Sequence, residues 1–261
     1  MSNIFVVIFK SILAGVSIGL GGFIYIASRW SFNNYITSYN EFGNVIGSDL
    51  FSIGLLLVCR FQLMLYTGKI GLTFESSQSA EYWVNIFIML IFNISSAYAL
   101  GMLANYLLSF WTNKSLLNTA IAIASGKTNC KTVNDYVKTS VQSIFCGTCV
   151  HIGVRCYQTV NGFSAFMLTN WFVFIFVYSG FQHCIANSFY FGIARLFNND
   201  VYINVAICVV GNMLGTIPVA LITKTFGKNN SSYSSSSPIA NEESSESTTS
   251  SYTGRTTVRR Y

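Results

Sequence analysis

Two histidines stand out in this sequence because each lies inside a long apolar stretch. If such a stretch crosses a membrane, an ionisable side chain within it is costly and usually functional. His183 lies deepest, and its imidazole can serve as a proton relay or a switchable hydrogen-bond donor; the alternative is a neutral core histidine. His151 shares a helical face with Arg155, four residues further on, and either lines an aqueous mouth or has a structural role.

The other reactive side chains form no constellation typical of catalysis. Cys146 and Cys149 form a CxxC pair, but no second pair or histidine cluster completes a zinc site, so buried structural thiols are favoured over metal or redox chemistry. The GxSxG, phosphate-loop and HExxH motifs are absent. The sequence therefore predicts a protein that is not an enzyme, with no metal site and no cofactor.

The composition indicates a membrane protein. Of 261 residues, 52% are hydrophobic and only 9% are charged, and the mean hydropathy is +0.48. Soluble domains carry about 25% charged residues. The net charge is +6, but the basic residues are scattered and form no run interleaved with aromatics, so nucleic-acid binding is not expected.

Apolar runs of spanning length recur six times, and a helix needs about 20 residues to cross the hydrocarbon. The predicted spans are 4–28, 48–67, 82–110, 138–158, 164–194 and 201–224. These spans belong to a transmembrane domain over residues 1–228. Residues 229–261 are rich in Ser and Thr, cannot bury a core and are predicted to be a disordered tail.

A weak internal repeat relates the two halves of the domain. Arg60-Phe61-Gln62 recurs 120 residues later as Gly180-Phe181-Gln182, and Asn93 recurs 119 residues later as Asn212. Each repeat contains three spans, so the second copy is inverted. Such folds place their sites near the midplane on interrupted helices.

Polar residues within the second and fifth spans indicate where those interruptions fall. Thr67 ends the second span, and His183 and Asn187 lie inside the fifth. An inverted repeat brings the two breaks together, so Thr67 and His183 are predicted to lie within hydrogen-bonding distance. Asn93, Asn187 and Asn212 are predicted to support the breaks by bonding backbone groups that the interrupted helices leave free.

Four segments, Ser179–Asn187, Phe51–Gly68, Gly211–Gly215 and Cys146–Arg155, together resemble the formate/nitrite transporter family. Ser179–Asn187 is similar to the fifth-span signature S-G-F-E-H-S-[IV]-A-N, and Phe51–Gly68 is similar to the second span, which ends in L-F-T-G-N. Gly211–Gly215 is similar to the sixth-span G-N-x-x-G-G, and Cys146–Arg155 lies where the family has its fourth-span motif. The resemblance runs in order across residues 10–224.

This resemblance implies an all-α, aquaporin-like bundle of six transmembrane helices, with inverted three-helix repeats and interrupted second and fifth helices. It implies a homopentamer in the lipid bilayer, with the plasma membrane as the expected location. Each protomer would pass formate, nitrite, lactate or similar monocarboxylates through its own pore, together with protons.

The resemblance also assigns residues to the pore. His183 matches the central histidine, Thr67 matches the threonine that bonds it, and Lys131 matches a lysine that attracts anions at the vestibule. The apolar constrictions are expected at Leu65, Tyr66 and Phe176, with the Tyr66 hydroxyl adding a polar group to one of them.

Several residues depart from the family pattern. Gln182 replaces a glutamate, Gly147 replaces the fourth-span asparagine, Met64 replaces a second-span glutamate, and Arg60 is an added cation. Two other functions therefore stay open from the sequence. One is a channel for water or small neutral solutes; the other is a non-transporting membrane scaffold or sensor that acts through its Ser-rich tail.

Overall fold

The computed structural model describes residues 3–35, 40–110, 114–128 and 131–233, and every regular element in these ranges is a helix. In chain order the helices are α1 (Ile4–Tyr35), α2 (Asn40–Arg60), α3 (Tyr66–Lys69), α4 (Leu72–Glu75), α5 (Ala80–Phe110), α6 (Lys114–Thr128), α7 (Val133–Thr159), α8 (Phe163–Tyr178), α9 (Cys184–Ile193) and α10 (Asn199–Tyr233).

The helices form six passes, as the sequence predicts. Among the described residues, α1, α2, α5 and α10 are long and apolar enough to cross a membrane. The helix α7 has 27 residues but buries polar side chains such as Ser143 and His151, while α8 and α9 are shorter and together form the fifth pass. An even number of passes places the two ends of the described chain on one side.

Several boundaries of the passes differ from the predicted ones. Helix α2 begins at Asn40 rather than at 48, and α6 falls where no element was predicted. Helix α10 continues to Tyr233, past the predicted start of the tail at 229. Residues 234–261 of that tail lie outside the described residues.

The second and fifth passes are both interrupted, which confirms the predicted breaks. Helix α2 ends at Arg60 and α3 begins at Tyr66; α8 ends at Tyr178 and α9 begins at Cys184. Each connection turns through a residue of positive φ, 52° at Gln62 and 68° at Gly180. Glycine adopts this conformation freely, whereas a residue with a Cβ is strained there.

The difference between these two turn residues predicts opposite effects of substitution. Gly180→Ala is expected to lower the free energy of unfolding by about 1 kcal/mol, and Gln62→Gly to raise it by up to about 1 kcal/mol. Thermal unfolding of the detergent-solubilised variants measures both. Equal signs for the two substitutions would show that backbone strain does not dominate at these turns.

Asn93 holds the first break together, as predicted. Its side-chain Oδ1 accepts a hydrogen bond from the Tyr66 amide at 2.8 Å. Its Nδ2 donates to the carbonyl oxygens of Ser11 at 2.7 Å and Met64 at 2.9 Å. One buried amide therefore satisfies backbone groups on both sides of the break and ties them to α1.

Asn212 makes the same three bonds at the second break. Its Oδ1 accepts from the Cys184 amide at 3.0 Å, and its Nδ2 donates to the carbonyl oxygens of Ser143 and Gln182, both at 2.8 Å. The correspondence of these bonds, one partner at a time, supports the internal duplication more strongly than the sequence matches do.

The hydrogen bonds also correct the register of the repeat. Gln62 and Gly180, the positive-φ residues, are 118 positions apart, as are Tyr66 and Cys184, which open the second half of each pass. The match of Arg60-Phe61-Gln62 to Gly180-Phe181-Gln182 is therefore two residues out of structural register. The backbone turn, rather than the side-chain identity, is what the two halves share.

Gly147 is explained by the close approach of α7 to α10. A Cβ at this position would lie 2.1 Å from the Asn212 carbonyl oxygen, which is backbone and cannot move aside. Gly15 faces the Asn93 carbonyl in the same way, with a Cβ contact of 2.4 Å. A side chain such as the family's asparagine has no room at 147 in this chain.

Candidate functional site

A cavity of about 560 Å³ opens between α1, α2, α6, α7, α8 and α9 and ends on His183. The imidazole lies at the break before α9, and all ten residues of α9, Cys184–Ile193, are buried. Helix α9 packs against α1, α5, α6 and α10, so its first turn is held at the centre of the protein. The fold thus fixes His183 at the inner end of an open vestibule.

Both ring nitrogens of His183 are engaged. Nε2 lies 3.1 Å from the Thr67 Oγ1, which places the two residues in contact as the sequence predicts. Nδ1 accepts a hydrogen bond from the Ala186 amide at 3.1 Å and so caps α9. A neutral ring that accepts at Nδ1 carries its proton on Nε2, and Nε2–H therefore donates to Thr67.

The role of Nδ1 is to cap α9. A histidine bonded to Thr67 through one nitrogen could turn the other toward the pore, but the first turn of α9 needs an acceptor for an amide that has no partner within the helix. Nδ1 supplies it. Protonation of Nδ1 would break this cap, because an imidazolium has two donors and no acceptor.

Aromatic rings close the vestibule around His183. Phe176 stacks on the imidazole with ring centres 5.7 Å apart and planes 22° apart. Phe51 meets Phe176 edge-on at 5.7 Å. Phe51 was not predicted as a pore residue, since a phenylalanine in an apolar span is usually core. Phe51 and Phe176 therefore place an apolar surface beside the imidazole.

Leu65 lies on the far side of the Thr67–His183 pair. It is buried and borders a small pocket of about 20 Å³, together with Lys69 and Val154. The predicted constriction residues Phe176 and Leu65 therefore lie on opposite sides of the central pair.

Tyr66 differs from the expectation that its hydroxyl enters a constriction. The hydroxyl donates to the Val209 carbonyl oxygen at 3.2 Å, and the residue lines neither of the two cavities. Its phenol links α3 to α10 because the first break brings them together.

The vestibule is lined by more positive than negative side chains. In the described part of the chain, its cations are Arg29, Lys127 and Lys138, and its one carboxylate is Asp135. The Asp135 carboxylate accepts hydrogen bonds from Thr132 in a capping box at the start of α7. Low-dielectric walls with an excess of one sign of charge raise the local concentration of the opposite ion.

Among the cations that line this cavity, Lys127 contacts Gln182, the residue next to His183. Its Nζ donates to the Gln182 Oε1 at 3.4 Å and lies 5.7 Å from the centre of the Tyr190 ring. Lys127 belongs to α6, outside the six passes, and burial lowers the pKa of its ammonium from the ordinary value of 10.5.

Lys131, the predicted vestibule lysine, lies elsewhere. It is exposed, and it does not line the cavity; its backbone amide donates to the Asp135 Oδ2 at 3.1 Å. Lys127 was missed because α6 itself was missed. The available signal was the spacing of Leu116, Ala120 and Ala124, which form the buried face of α6.

A network of amides continues inward from Lys127. The Gln182 Oε1 also accepts from the Asn187 Nδ2 at 2.8 Å, and the Gln182 Nε2 donates to the Gln142 Oε1 at 3.2 Å. The Asn187 Nδ2 also reaches the Asn204 Oδ1 at 3.0 Å. Asn187 therefore bonds side chains rather than the backbone of the break, because Asn212 already satisfies that backbone.

His151 and Arg155 share one carboxylate near the opposite end of α7. The His151 Nε2 lies 3.2 Å from the Glu75 Oε1, and the Arg155 Nη2 lies 3.4 Å from the Glu75 Oε2. Gly71 packs flat on the imidazole, where a Cβ would come within 2.3 Å. The cluster fastens the α4 segment to α7, which agrees with a structural role for His151.

The cysteine pair lies within the protein. Cys146 and Cys149 are free and buried, and no group of three or more potential metal ligands is found in the part of the chain that the structure describes. Burial among apolar neighbours is the environment of inert thiols.

Comparisons with known proteins give one family. The family model described as "Formate/nitrite transporter" matches residues 2–223. An "Uncharacterized transporter YrhG" from Bacillus subtilis (strain 168) is 26% identical over 183 residues, which is 68% of this chain and 66% of that relative, just under two thirds of its length.

Two solved structures have a similar fold. One is described as "Pentameric formate channel with formate bound", with a TM-score of 0.63, 19% identity, and coverage of 87% of this chain and 94% of the other. The second, an "FNT family ion channel", has a TM-score of 0.64, 17% identity, and coverage of 88% and 91%.

Proposed function

Because this integral membrane protein belongs to the formate/nitrite transporter family, we propose that it passes small monovalent anions such as formate, nitrite, lactate or similar monocarboxylates. The observation that carries the proposal is a vestibule lined, among the described residues, by three cations and one carboxylate, which ends at a constriction where Phe176 stacks on His183. The charges select for anions, and the constriction excludes them as bare ions.

Passage through this arrangement requires the anion to become neutral. Lys127 draws the anion to the inner end of the vestibule, where the dielectric falls and protonation of the acid becomes easier. Both nitrogens of His183 are held in hydrogen bonds, so we assign the proton to water of the vestibule rather than to the imidazole. The neutral acid then passes Phe176, exchanges hydrogen bonds with the Thr67–His183 pair and leaves past Leu65.

We propose that the protein assembles as a homopentamer in the plasma membrane, with one pore per protomer. Support comes from the solved structure described as pentameric, which covers 87% of this chain. The mass of the detergent-solubilised particle tests the assembly; a monomeric particle that still conducts would contradict it.

The decisive test is flux in proteoliposomes. We expect formate, lactate and nitrite each to enter the vesicles faster when the interior is alkaline relative to the outside than when there is no pH gradient. Osmotic swelling in the same vesicles tests the alternative function: swelling by water or glycerol without anion flux would establish a neutral-solute channel instead.

The charge of Lys127 predicts a dependence on salt. Lys127→Gln is expected to raise the apparent KM for formate by roughly fivefold at low ionic strength, with less effect on maximal flux and less effect at high salt. Lys131→Gln is the matched control, because it removes the same charge four residues away on an exposed site. An equal effect of both substitutions would contradict a specific role for Lys127.

The lowered pKa of Lys127 predicts a dependence on pH. An ammonium is charged below its pKa, so the attraction of anions is present at neutral pH and lost as pH rises through a value below 10.5. For an anion that stays ionised above pH 7, the apparent KM of the wild type is expected to rise as the pH increases above 7, because Lys127 loses its charge. Lys127→Arg keeps its charge and is expected to flatten the profile; an unchanged profile would place the titration elsewhere.

A further inference from the structure

Arg60, the last residue of α2, has no part in the pore. It is exposed and lines a groove of about 470 Å³ on the outside of the protein, between the end of α2 and the α7–α8 connection. Within the described residues its guanidinium has no hydrogen-bond or ion-pair partner. An unpaired guanidinium beside a groove in a membrane protein calls for a ligand with an anionic group.

The walls of this groove change character along α2. Ile53, Leu56, Leu57 and Arg60 follow helical spacing and lie on one face, so an apolar stripe about 10 Å long leads from the cation back into the bilayer. Phe166 on α8 completes the apolar wall.

Polar side chains lie at the cation's end of the groove. Gln158, Asn161 and Tyr157 line it there, close to the turn at Gly162 that starts α8. Because α2 ends and α8 begins at this level, it is where a pass leaves the hydrocarbon and meets the headgroups. The groove therefore has an apolar length inside the membrane and a positive, hydrogen-bonding end at its surface.

We propose that this groove binds an anionic phospholipid of the surrounding bilayer, with its phosphate on Arg60 and one acyl chain along the stripe of Ile53 and Leu57. Guanidinium and phosphate pair with two hydrogen bonds, and none of the described residues that line the groove is a competing carboxylate. The proposal concerns the outer surface and does not depend on what the pore conducts.

Charge complementarity favours a lipid phosphate over a second copy of the chain as the occupant of this groove. The described carboxylates at this end of the helices are Glu75 and Glu81, and both already have partners. Neither is available to Arg60, whereas the bilayer supplies phosphate at this level.

The test is the lipid retained by the purified protein. Wild type and Arg60→Gln are reconstituted in an equal mixture of phosphatidylglycerol and phosphatidylcholine, extracted in mild detergent, and weighed with bound lipid by native mass spectrometry. We expect the wild type to retain phosphatidylglycerol in preference to phosphatidylcholine. In Arg60→Gln, the ratio of bound phosphatidylglycerol to bound phosphatidylcholine is expected to fall about fivefold. Arg60→Lys, which keeps the charge but not the paired geometry, should lose part of it.

Lys224→Gln is the matched control, since it removes one exposed positive charge on the same side of the membrane. Equal loss in this variant would show general surface attraction and overturn the proposal. So would an unchanged lipid preference in Arg60→Gln. If Arg60→Gln instead lowers the number of subunits per particle while its bound lipid is unchanged, the groove is a contact between copies of the chain.

Discussion

Replacing His183 with phenylalanine is expected to reduce formate flux by roughly thirtyfold, or about 2 kcal/mol in the barrier. The phenyl ring fits beside Phe176, but it cannot donate to Thr67 or accept from the Ala186 amide. A neutral acid would then meet a constriction with one fewer polar partner. Loss of the α9 cap is expected to lower stability by about 1 kcal/mol as well.

Flux in vesicles and thermal unfolding in detergent separate these two effects. His183→Asn is the informative companion, because an asparagine oxygen also caps a helix and restores stability, although the shorter side chain cannot reach Thr67 in the same way. We expect His183→Asn to conduct slowly and to keep the pH profile of the wild type, since that profile belongs to the acid and to Lys127. A normal rate in His183→Phe would exclude the histidine from the conduction path.

Replacing Asn212 with leucine is expected to be among the most destabilising single changes in the protein, at about 3 kcal/mol or more. Leucine is similar in size, but it leaves the Cys184 amide and the Gln182 carbonyl at the second break without a partner. Each buried group left unsatisfied costs about 1–3 kcal/mol. Asn93→Leu is expected to have a similar effect at the first break.

Asn105 provides the matched control for this stability measurement. It is also a buried asparagine on a membrane pass, but its side chain donates one bond, to the Ile193 carbonyl at 2.7 Å. Asn105→Leu is expected to cost about 1 kcal/mol. If thermal unfolding shows Asn212→Leu to be no less stable than Asn105→Leu, the break is supported mainly by packing.

The breaks and their asparagines could be predicted because a polar residue inside an apolar span is evident from the sequence alone. Asn93 and Asn212 each lie within a long apolar helix, and each bonds the backbone as expected. The contact of Thr67 with His183 followed from placing the breaks opposite each other. These inferences needed only the sequence positions of a few polar groups and the inverted order of the passes.

The residues of the vestibule could not be placed in the same way. Lys127 and Lys131 are four positions apart on a short, weakly apolar segment, and only the packing of Ala120 and Ala124 decides which lysine turns inward. The Glu75 carboxylate likewise falls between two predicted spans, and its two cationic partners come from α7, 76 residues along the chain for His151. Tertiary contacts of this range leave no local signal.

The capping of α9 by His183 has a consequence for the membrane as an insulator. A proton can hop along a chain of hydrogen bonds only if each link can both receive a proton and release one. At Nδ1 the chain ends on a backbone amide, which does not release its proton, so the imidazole cannot relay protons while α9 stays capped. Under the proposed mechanism, an acid would carry its own proton through this constriction while free protons are refused, and the pore would not dissipate the electrochemical gradient across the membrane.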